Sequence, residues 1–212
     1  MIEFYLFRHG ETDWNLAGRM QGSADIPLNE TGVQQAEALR LYFDELRKDG
    51  VTEWFVSSPL QRARETARIA LRISGNLNVP QEPRFAETHM GHAEGMTREE
   101  LVANYGEEIW LSWIDLGKAS WQARFPGGES KGEVRDRALA AMSDLALQAL
   151  DDGHVHLRIF VATHGGLLRR LLHHFHPELK QPISVENGAV FQFVHQQGLW
   201  RVDVRPVFEI GS

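Results

Sequence analysis

Three short groups of residues in this chain carry side chains suited to chemistry on an anion. Arg8-His9-Gly10 stands near the start, Arg62 sits in Leu60-Gln61-Arg62-Ala63, and His164-Gly165-Gly166 comes late. Each group is unremarkable alone. Arg62 beside Glu65 reads as a solvated helix residue, and His164 reads as an ordinary polar residue at a strand end. Together they supply two guanidiniums and two imidazoles. A guanidinium binds the oxygens of an oxyanion in pairs, which suits phosphate. An imidazole that is neutral at one nitrogen can act as a nucleophile. The paired glycines let backbone N–H groups at a helix start approach an anion closely. If the groups meet in space, they describe a cationic pocket fit for phosphoryl transfer.

The elements around these groups say that they do meet. Ile2 to Phe7 is a nearly continuous apolar run, suited to a strand buried on both faces, and it leads into Arg8-His9. Trp54 to Val56 is a second short strand, with Pro59 in the first turn of a helix that continues to Ile73. Leu157 to Ala162 is a third, followed by a helix from Gly165 to Phe175. Thr31 to Lys48 is helical, with Val33, Ala36, Leu39, Leu41 and Phe43 as its apolar stripe. Asn76 to Arg84 reads as loop with a short strand. Capping boxes at Thr97 and Ser130 open two more helices, the second reaching Leu150. Ala189 to Val194 and Trp200 to Val207 are closing strands, as a hairpin around Gly198. The alternation predicts an α/β fold: a three-layer sandwich with a mainly parallel central sheet flanked by helices. Residues 88 to 130 break the alternation and form a small helical insertion. In such sheets ligands bind where strands end and helices begin, so all three groups belong on one edge.

Composition narrows the functional classes. The chain has 212 residues, a formal net charge of -7 and no cysteine, so disulfides and thiol nucleophiles are excluded. The length fits a single domain over 1–212 with an insertion, or lid, at about 88–130. The acidic balance argues against a general nucleic-acid binder. Glu3 and Arg8 break the first apolar stretch, which rules out a signal peptide there, and no stretch is long and apolar enough to span a bilayer. A cytoplasmic setting is expected. His173, His174 and His176 look like a metal tract, but no matching carboxylates accompany them; charge near a helix end is the plainer account. His89 and His92 flank Glu87 and could meet a ligand. Trp110, Trp113 and Trp121 are expected to pack the insertion onto the core, with a lid residue as the alternative.

The segments LFRHGETDWN, GRMQG, DIPLNETG, SSPLQRARETA, AETHMGHAEGM, FPGGES, VATHGGLLRRLL and VENGAV occur in this order along nearly the whole chain. In them the chain resembles the histidine phosphatase superfamily, also called phosphoglycerate mutase-like. The resemblance implies that His9 is the nucleophile and becomes a phosphohistidine. It implies that Arg8, Arg62 and His164 hold the phosphoryl oxygens; His164, if protonated, would add positive charge. Asn15, Gln21 and Gly165 would bind substrate. Glu87 would protonate the leaving group, with Glu94 as the alternative, because Met90 and Ala93 stand where the family often has aromatic residues. The PGGES segment, Pro126 to Ser130, resembles the phosphatase branches. The expected activity is hydrolysis of a small phosphomonoester; the alternatives are a mutase or a phospholigand-binding module without catalysis. No metal and no cofactor are expected. Nucleic-acid and membrane partners are not expected, and a homodimer is compatible with the sequence.

Overall fold

A computed structural model describes residues 1–73 and 79–210. Its centre is a five-stranded sheet in the order β2-β3-β1-β4-β5. The strands are β1 (Ile2–Arg8), β2 (Glu53–Ser57), β3 (Leu157–Thr163), β4 (Val190–Gln196) and β5 (Leu199–Val202). β1, β2 and β3 run parallel; β4 and β5 are antiparallel additions at one edge. The sheet is therefore mixed, with a parallel core.

Register carries the three chemical groups to one place. β1 pairs with β3 from Ile2 opposite Leu157 to Arg8 opposite Thr163. β2 pairs with β3 so that Ser57 lies opposite Ala162. The strands thus end level. His9 N–H donates to the Thr163 carbonyl at 3.0 Å, and Ser58 N–H donates to the Ala162 carbonyl at 2.9 Å. His9, Ser58 and His164 leave the sheet side by side as a direct result.

The strands β1 and β3 are buried on both faces, which is why their apolar runs are nearly unbroken. Phe4, Leu6, Ile159 and Val161 face one core, shared with helices α6 (Lys131–Asp151) and α7 (Gly165–Phe175). Tyr5, Phe7, Phe160 and Ala162 face the other, shared with α2 (Glu30–Leu46) and α3 (Gln61–Ala70). The expected three layers are present. A four-residue helix α1 (Asp13–Leu16) follows β1. Within 88–130 lie α4 (Arg98–Tyr105) and α5 (Glu107–Ile114). Trp113 joins Ala93, Leu101 and Phe125 in a small separate core with Trp110 against it, so these tryptophans pack the insertion upon itself. Trp121 lies under the Arg135 guanidinium, 4.6 Å from its ring centroid. Among the described residues no helix is long and apolar enough to cross a membrane.

Several boundaries differ from the sequence reading, each for a local reason. α2 begins at Glu30 because the Asn29 side chain caps Gly32 N–H at 2.9 Å. Its buried stripe is Gly32, Ala36, Leu39 and Phe43; Val33 and Leu41 are exposed. α3 begins after Pro59, at Gln61, whose N–H is taken by the distant Asp25 carboxylate at 2.6 Å. It ends at Ala70, before Arg72, which adopts a left-handed φ of 53°. β5 stops at Val202, ahead of Pro206, which has no N–H for a ladder. The hairpin turns at Gln197 and Gly198, both left-handed with φ of 53° and 76°. Of the loop expected at 76–84, residues 76–78 lie outside the described residues. Gln81 makes an isolated parallel bridge to Ser57, and Pro83–Phe85 form a short 3-10 turn.

The loop after β1 lies backbone against backbone on the start of α2. A methyl group on Gly32 would overlap the Glu11 carbonyl oxygen, and one on Gly10 would overlap the Gly32 carbonyl. Gly32→Ala should therefore destabilise the protein by about 1–3 kcal/mol through forced backbone movement. Val33→Ala, at an exposed neighbour, should stay within about 0.5 kcal/mol of the parent. Chemical denaturation of both variants checks this; equal midpoints would refute the close packing.

Candidate active site

At the level strand ends the chain builds a cavity of about 220 Å³ whose walls include Arg8, His9, Asn15, Gln21, Arg62, Glu87, Gly165 and Arg169. His9 is 3% exposed. Its Nδ1 lies 2.6 Å from the Gly10 carbonyl oxygen, which can only accept. Nδ1 therefore carries the proton. Its Nε2 faces Arg62 Nε–H at 3.2 Å, a group that can only donate. Nε2 therefore holds a lone pair. Burial, then the positive charges of Arg62 and Arg8, push the His9 pKa well below the ordinary histidine value. The ring is neutral and presents one defined nucleophilic nitrogen to the cavity.

Arg62 is fully buried on α3. Beyond His9 it donates to the Ala24 carbonyl at 2.7 Å and to the Gly22 carbonyl at 2.8 Å. Arg8 is fixed by one bond, Nη1 to the Val185 carbonyl at 2.6 Å, while its Nε has no partner among the described residues. Burial and the neighbouring Arg169 pull the Arg8 pKa down to about 10, which leaves it cationic at neutral pH. Asn15 closes a capping box with Thr12 at the start of α1. Its Oδ1 also accepts from Asn187 Nδ2 at 3.3 Å, and the same Asn187 group donates to the His9 carbonyl at 2.9 Å. The carbonyl end of Asn15 is thus occupied, which leaves its amide donors for a ligand. Gln21 is buried on the cavity wall, and its Oε1 has no partner among the described residues.

The two candidate acids stand in different places. Glu87 lines the cavity. Its Oε1 accepts from Thr88 N–H at 2.8 Å and Leu167 N–H at 3.1 Å, and its Oε2 accepts from Gly166 N–H at 2.8 Å. Oε2 keeps room for a proton. A side chain on Gly166 would overlap the Glu87 carboxylate, so the glycine is what admits this acid to the helix start. Glu94 is turned to the loop instead: its Oε1 accepts from Ser23 N–H at 2.9 Å, Ser23 Oγ–H at 2.7 Å and Met90 N–H at 3.0 Å.

Two expectations need correction. The helix start at Gly165-Gly166 is expected to offer backbone N–H groups to an anionic ligand, but the N–H groups of Gly166 and Leu167 are spent on the Glu87 carboxyl oxygens. The second concerns His164, which would add positive charge only if protonated. It is fully buried, 5.2 Å from His9 between ring centroids, and its Nε2 meets Ser58 Oγ at 2.7 Å. Burial first, then Arg62 and His9, push its pKa well below the ordinary value, so the ring is neutral. His164 Nδ1 has no partner among the described residues. Ser58, Asn187 and Arg169 escaped the sequence reading as site residues, although they lie in the quoted segments SSPLQRARETA, VENGAV and VATHGGLLRRLL. His89 and His92 are not part of the cavity wall. His176 bonds to the Val202 carbonyl at 3.0 Å and His174 packs on Phe175, so the three late histidines point to different surroundings.

Known proteins resemble this chain along most of its length. A probable phosphoglycerate mutase of Serratia proteamaculans, GpmB, is 34% identical over 203 residues, covering 94% of this chain and 88% of the relative. An uncharacterized phosphatase of Bacillus subtilis, PhoE, is 31% identical over 207 residues, covering 95% and 93%. Among solved structures, a mycobacterial glucosyl-3-phosphoglycerate phosphatase superposes with a TM-score of 0.77 at 27% identity, covering 96% of this chain and 98% of the other. Bacillus stearothermophilus YhfR superposes at 0.78 with 28% identity, covering 95% of each. The sequence profile of one family matches residues 4–205, nearly the whole chain: this protein belongs to the histidine phosphatase superfamily, branch 1.

Proposed function

We propose that this chain is a phosphomonoester hydrolase that works through a phosphohistidine on a small phosphorylated metabolite. The observation that carries the reading is the His9 ring: neutral, with its proton held on Nδ1 by Gly10, and its Nε2 lone pair at the wall of a cavity rich in arginine.

The chemistry follows from that arrangement. A dianionic phosphoryl group entering the cavity gives Arg62 and Arg8 the anion they lack, so Arg62 Nε exchanges His9 Nε2 for a phosphoryl oxygen. The freed Nε2 lone pair attacks phosphorus. As the N–P bond forms, the P–O bond to the leaving group breaks, and Glu87 delivers its proton to the departing oxygen. The arginines, and the amide of Asn15, stabilise the charge spread over the equatorial oxygens from fixed positions. His164, held by Ser58, packs beside the His9 ring behind the cavity wall. In the second half a water attacks phosphorus, the Glu87 carboxylate takes its proton, and the N–P bond breaks to return His9 neutral. Glu94 acts at one remove, holding the loop whose Gly22 carbonyl anchors Arg62.

Hydrolysis is favoured over mutase action by the PGGES segment and by similarity to a phosphatase structure. The mutase reading keeps one observation of its own, the 34% identity with a probable phosphoglycerate mutase. Phosphoglycerate assayed with and without 2,3-bisphosphoglycerate separates them: phosphate release without the bisphosphate supports hydrolysis, and isomer exchange that requires it supports the mutase.

Brief exposure to a labelled phosphomonoester should leave an acid-labile, alkali-stable phosphoprotein, absent in His9→Ala, whose turnover should fall at least about 1,000-fold. Failure to label with any phosphomonoester would favour a binding module. Glu87→Gln should lower kcat/KM for alkyl phosphates by about 100-fold or more, and for p-nitrophenyl phosphate by less than about tenfold, since that leaving group needs little protonation. Equal losses would remove Glu87 from the acid role. Because the pKa values of His9 and His164 lie well below 6.5, both rings should stay neutral on the acid side of that value, where a free histidine charges. Nitrogen NMR of the imidazoles between about pH 5.5 and 7.5 reads this, and a protonation step near 6.5 at His9 would contradict it. The unfolded chain does take up these protons, so both histidines make stability fall as pH drops through 6.5, each by up to about 1.4 kcal/mol per pH unit.

A further inference from the structure

A second cavity, of about 380 Å³, opens between the insertion and α7. Trp110, Trp113 and Ile183 give it an apolar wall, Arg169 and Arg170 give it a cationic one, and His173, whose pKa burial and Arg170 push below the ordinary histidine value, stands beside them. Arg169 lines this cavity and the cavity of His9 alike, so the two adjoin.

Arg169 Nε donates to the Ile183 carbonyl at 3.3 Å, but two neighbouring nitrogens on this wall have no partner among the described residues. Arg170 is 8% exposed, and its Nε has no hydrogen-bond partner among the described residues. Its guanidinium stacks on Trp113 at 4.7 Å from the ring centroid. Stacking occupies the flat face, so the unpartnered Nε–H lies on the in-plane edge by which a guanidinium binds an oxyanion. His173 is also 8% exposed, and its Nε2 is without a partner among the described residues. Buried donors of this kind are normally satisfied, and leaving them unpaired is unfavourable. The buried Lys131 does not supply the missing partner. It is a cation, and its Nζ is committed to the carbonyls of Ser112 and Asp115 at 3.0 and 2.7 Å, where it closes the C-terminal end of α5.

We propose that this cavity is a binding site for an organic anion, a carboxylate carried on an apolar or aromatic body. The carboxylate pairs with Arg170 and His173 while the body lies against Trp110, Trp113 and Ile183. Burial, and repulsion from Arg169, bring the Arg170 pKa down to about 10, strain that a bound anion relieves. Two sources share this chemistry: the far end of the phosphomonoester in the adjoining cavity, or a separate small acid. The first rests on the hydrolase reading; the site itself does not.

Benzoate, with benzamide as its uncharged counterpart, tests the site by direct titration of tryptophan fluorescence, in the wild-type protein and in His9→Ala. Benzoate should bind saturably and at least about tenfold more tightly than benzamide. Arg170→Met, which keeps the aliphatic stem, should weaken benzoate at least about tenfold, and His173→Leu about threefold. If Arg170→Met does not fold, His173→Leu carries the test. Benzoate binding no tighter than benzamide, or undiminished in the folded variants, overturns the proposal. Phosphate esters of ω-hydroxy acids, compared with alkyl phosphates of matched length, then identify the source. A lower KM for one acid ester, lost in the variant, assigns the site to the substrate; benzoate binding without such a preference assigns it to a separate acid. If no ester is hydrolysed, the hydrolase reading fails while the benzoate titration still decides the site.

Discussion

A guanidinium with no access to water organises the centre of this protein. Arg62 sits fully buried, and a buried cation must have its donors satisfied or cost several kcal/mol. Two of its partners are carbonyls of one loop, Gly22 and Ala24, and the third is the ring of His9. The loop must therefore fold back over α3, and the His9 ring must offer a lone pair rather than a proton. Burial first, and then the same charge by repulsion, keep the ring neutral. The pairing of a buried arginine, together with the Gly10 carbonyl at Nδ1, fixes the position and tautomer of the nucleophilic ring.

Two carboxylates near each other in the chain divide the remaining work. Glu94 braces the loop that feeds carbonyls to Arg62, by accepting from Ser23 and Met90. Glu87 takes the start of α7, where free N–H groups favour a negative charge, and so stands at the cavity wall. Gly166 is the reason it fits there. The first-turn glycine serves the acid rather than the ligand, and the anion-binding burden shifts to the arginines. Arg8, Arg62 and Arg169 all face one cavity, with Glu87 as an acid in its wall. The excess of positive charge is local, in a chain that is acidic as a whole. An entering dianion is drawn to that excess, and charges on largely buried side chains such as Arg62 are screened less than those on the surface.

The insertion has a different logic. Its small core of Ala93, Leu101, Trp113 and Phe125 is separate from the two large cores that clamp the sheet. It is held to the rest by contacts such as Lys131, which caps α5 from the first residue of α6. That separation leaves space between the insertion and α7, and the space is lined by Arg169, Arg170 and His173 of α7, with Arg170 Nε and His173 Nε2 unpartnered among the described residues. The parallel core of the sheet positions the His9 site, and the insertion shapes what adjoins it.

Much of this was legible in the linear chain because the signals are local. Unbroken apolar runs mark strands buried on both faces, a capping box marks a helix start, and a strand end marks a ligand edge; each needs only neighbours along the chain. The capped helix starts at Thr97 and Ser130 and the span Gly165–Phe175 accordingly match the structure. The meeting of Arg8, His9, Arg62 and His164 was legible as well, since level strand ends follow from fold class. The path of the loops was not. That Glu87 rather than Glu94 reaches the cavity depends on Gly166 and Ser23, each far away in sequence. That His164 is neutral depends on how deeply Ser58 and Arg62 enclose it. That α3 starts at Gln61 depends on a cap lent by Asp25. Charge state, proton position and cavity shape come from burial and from partners brought close by folding, and neither quantity exists until the chain has packed.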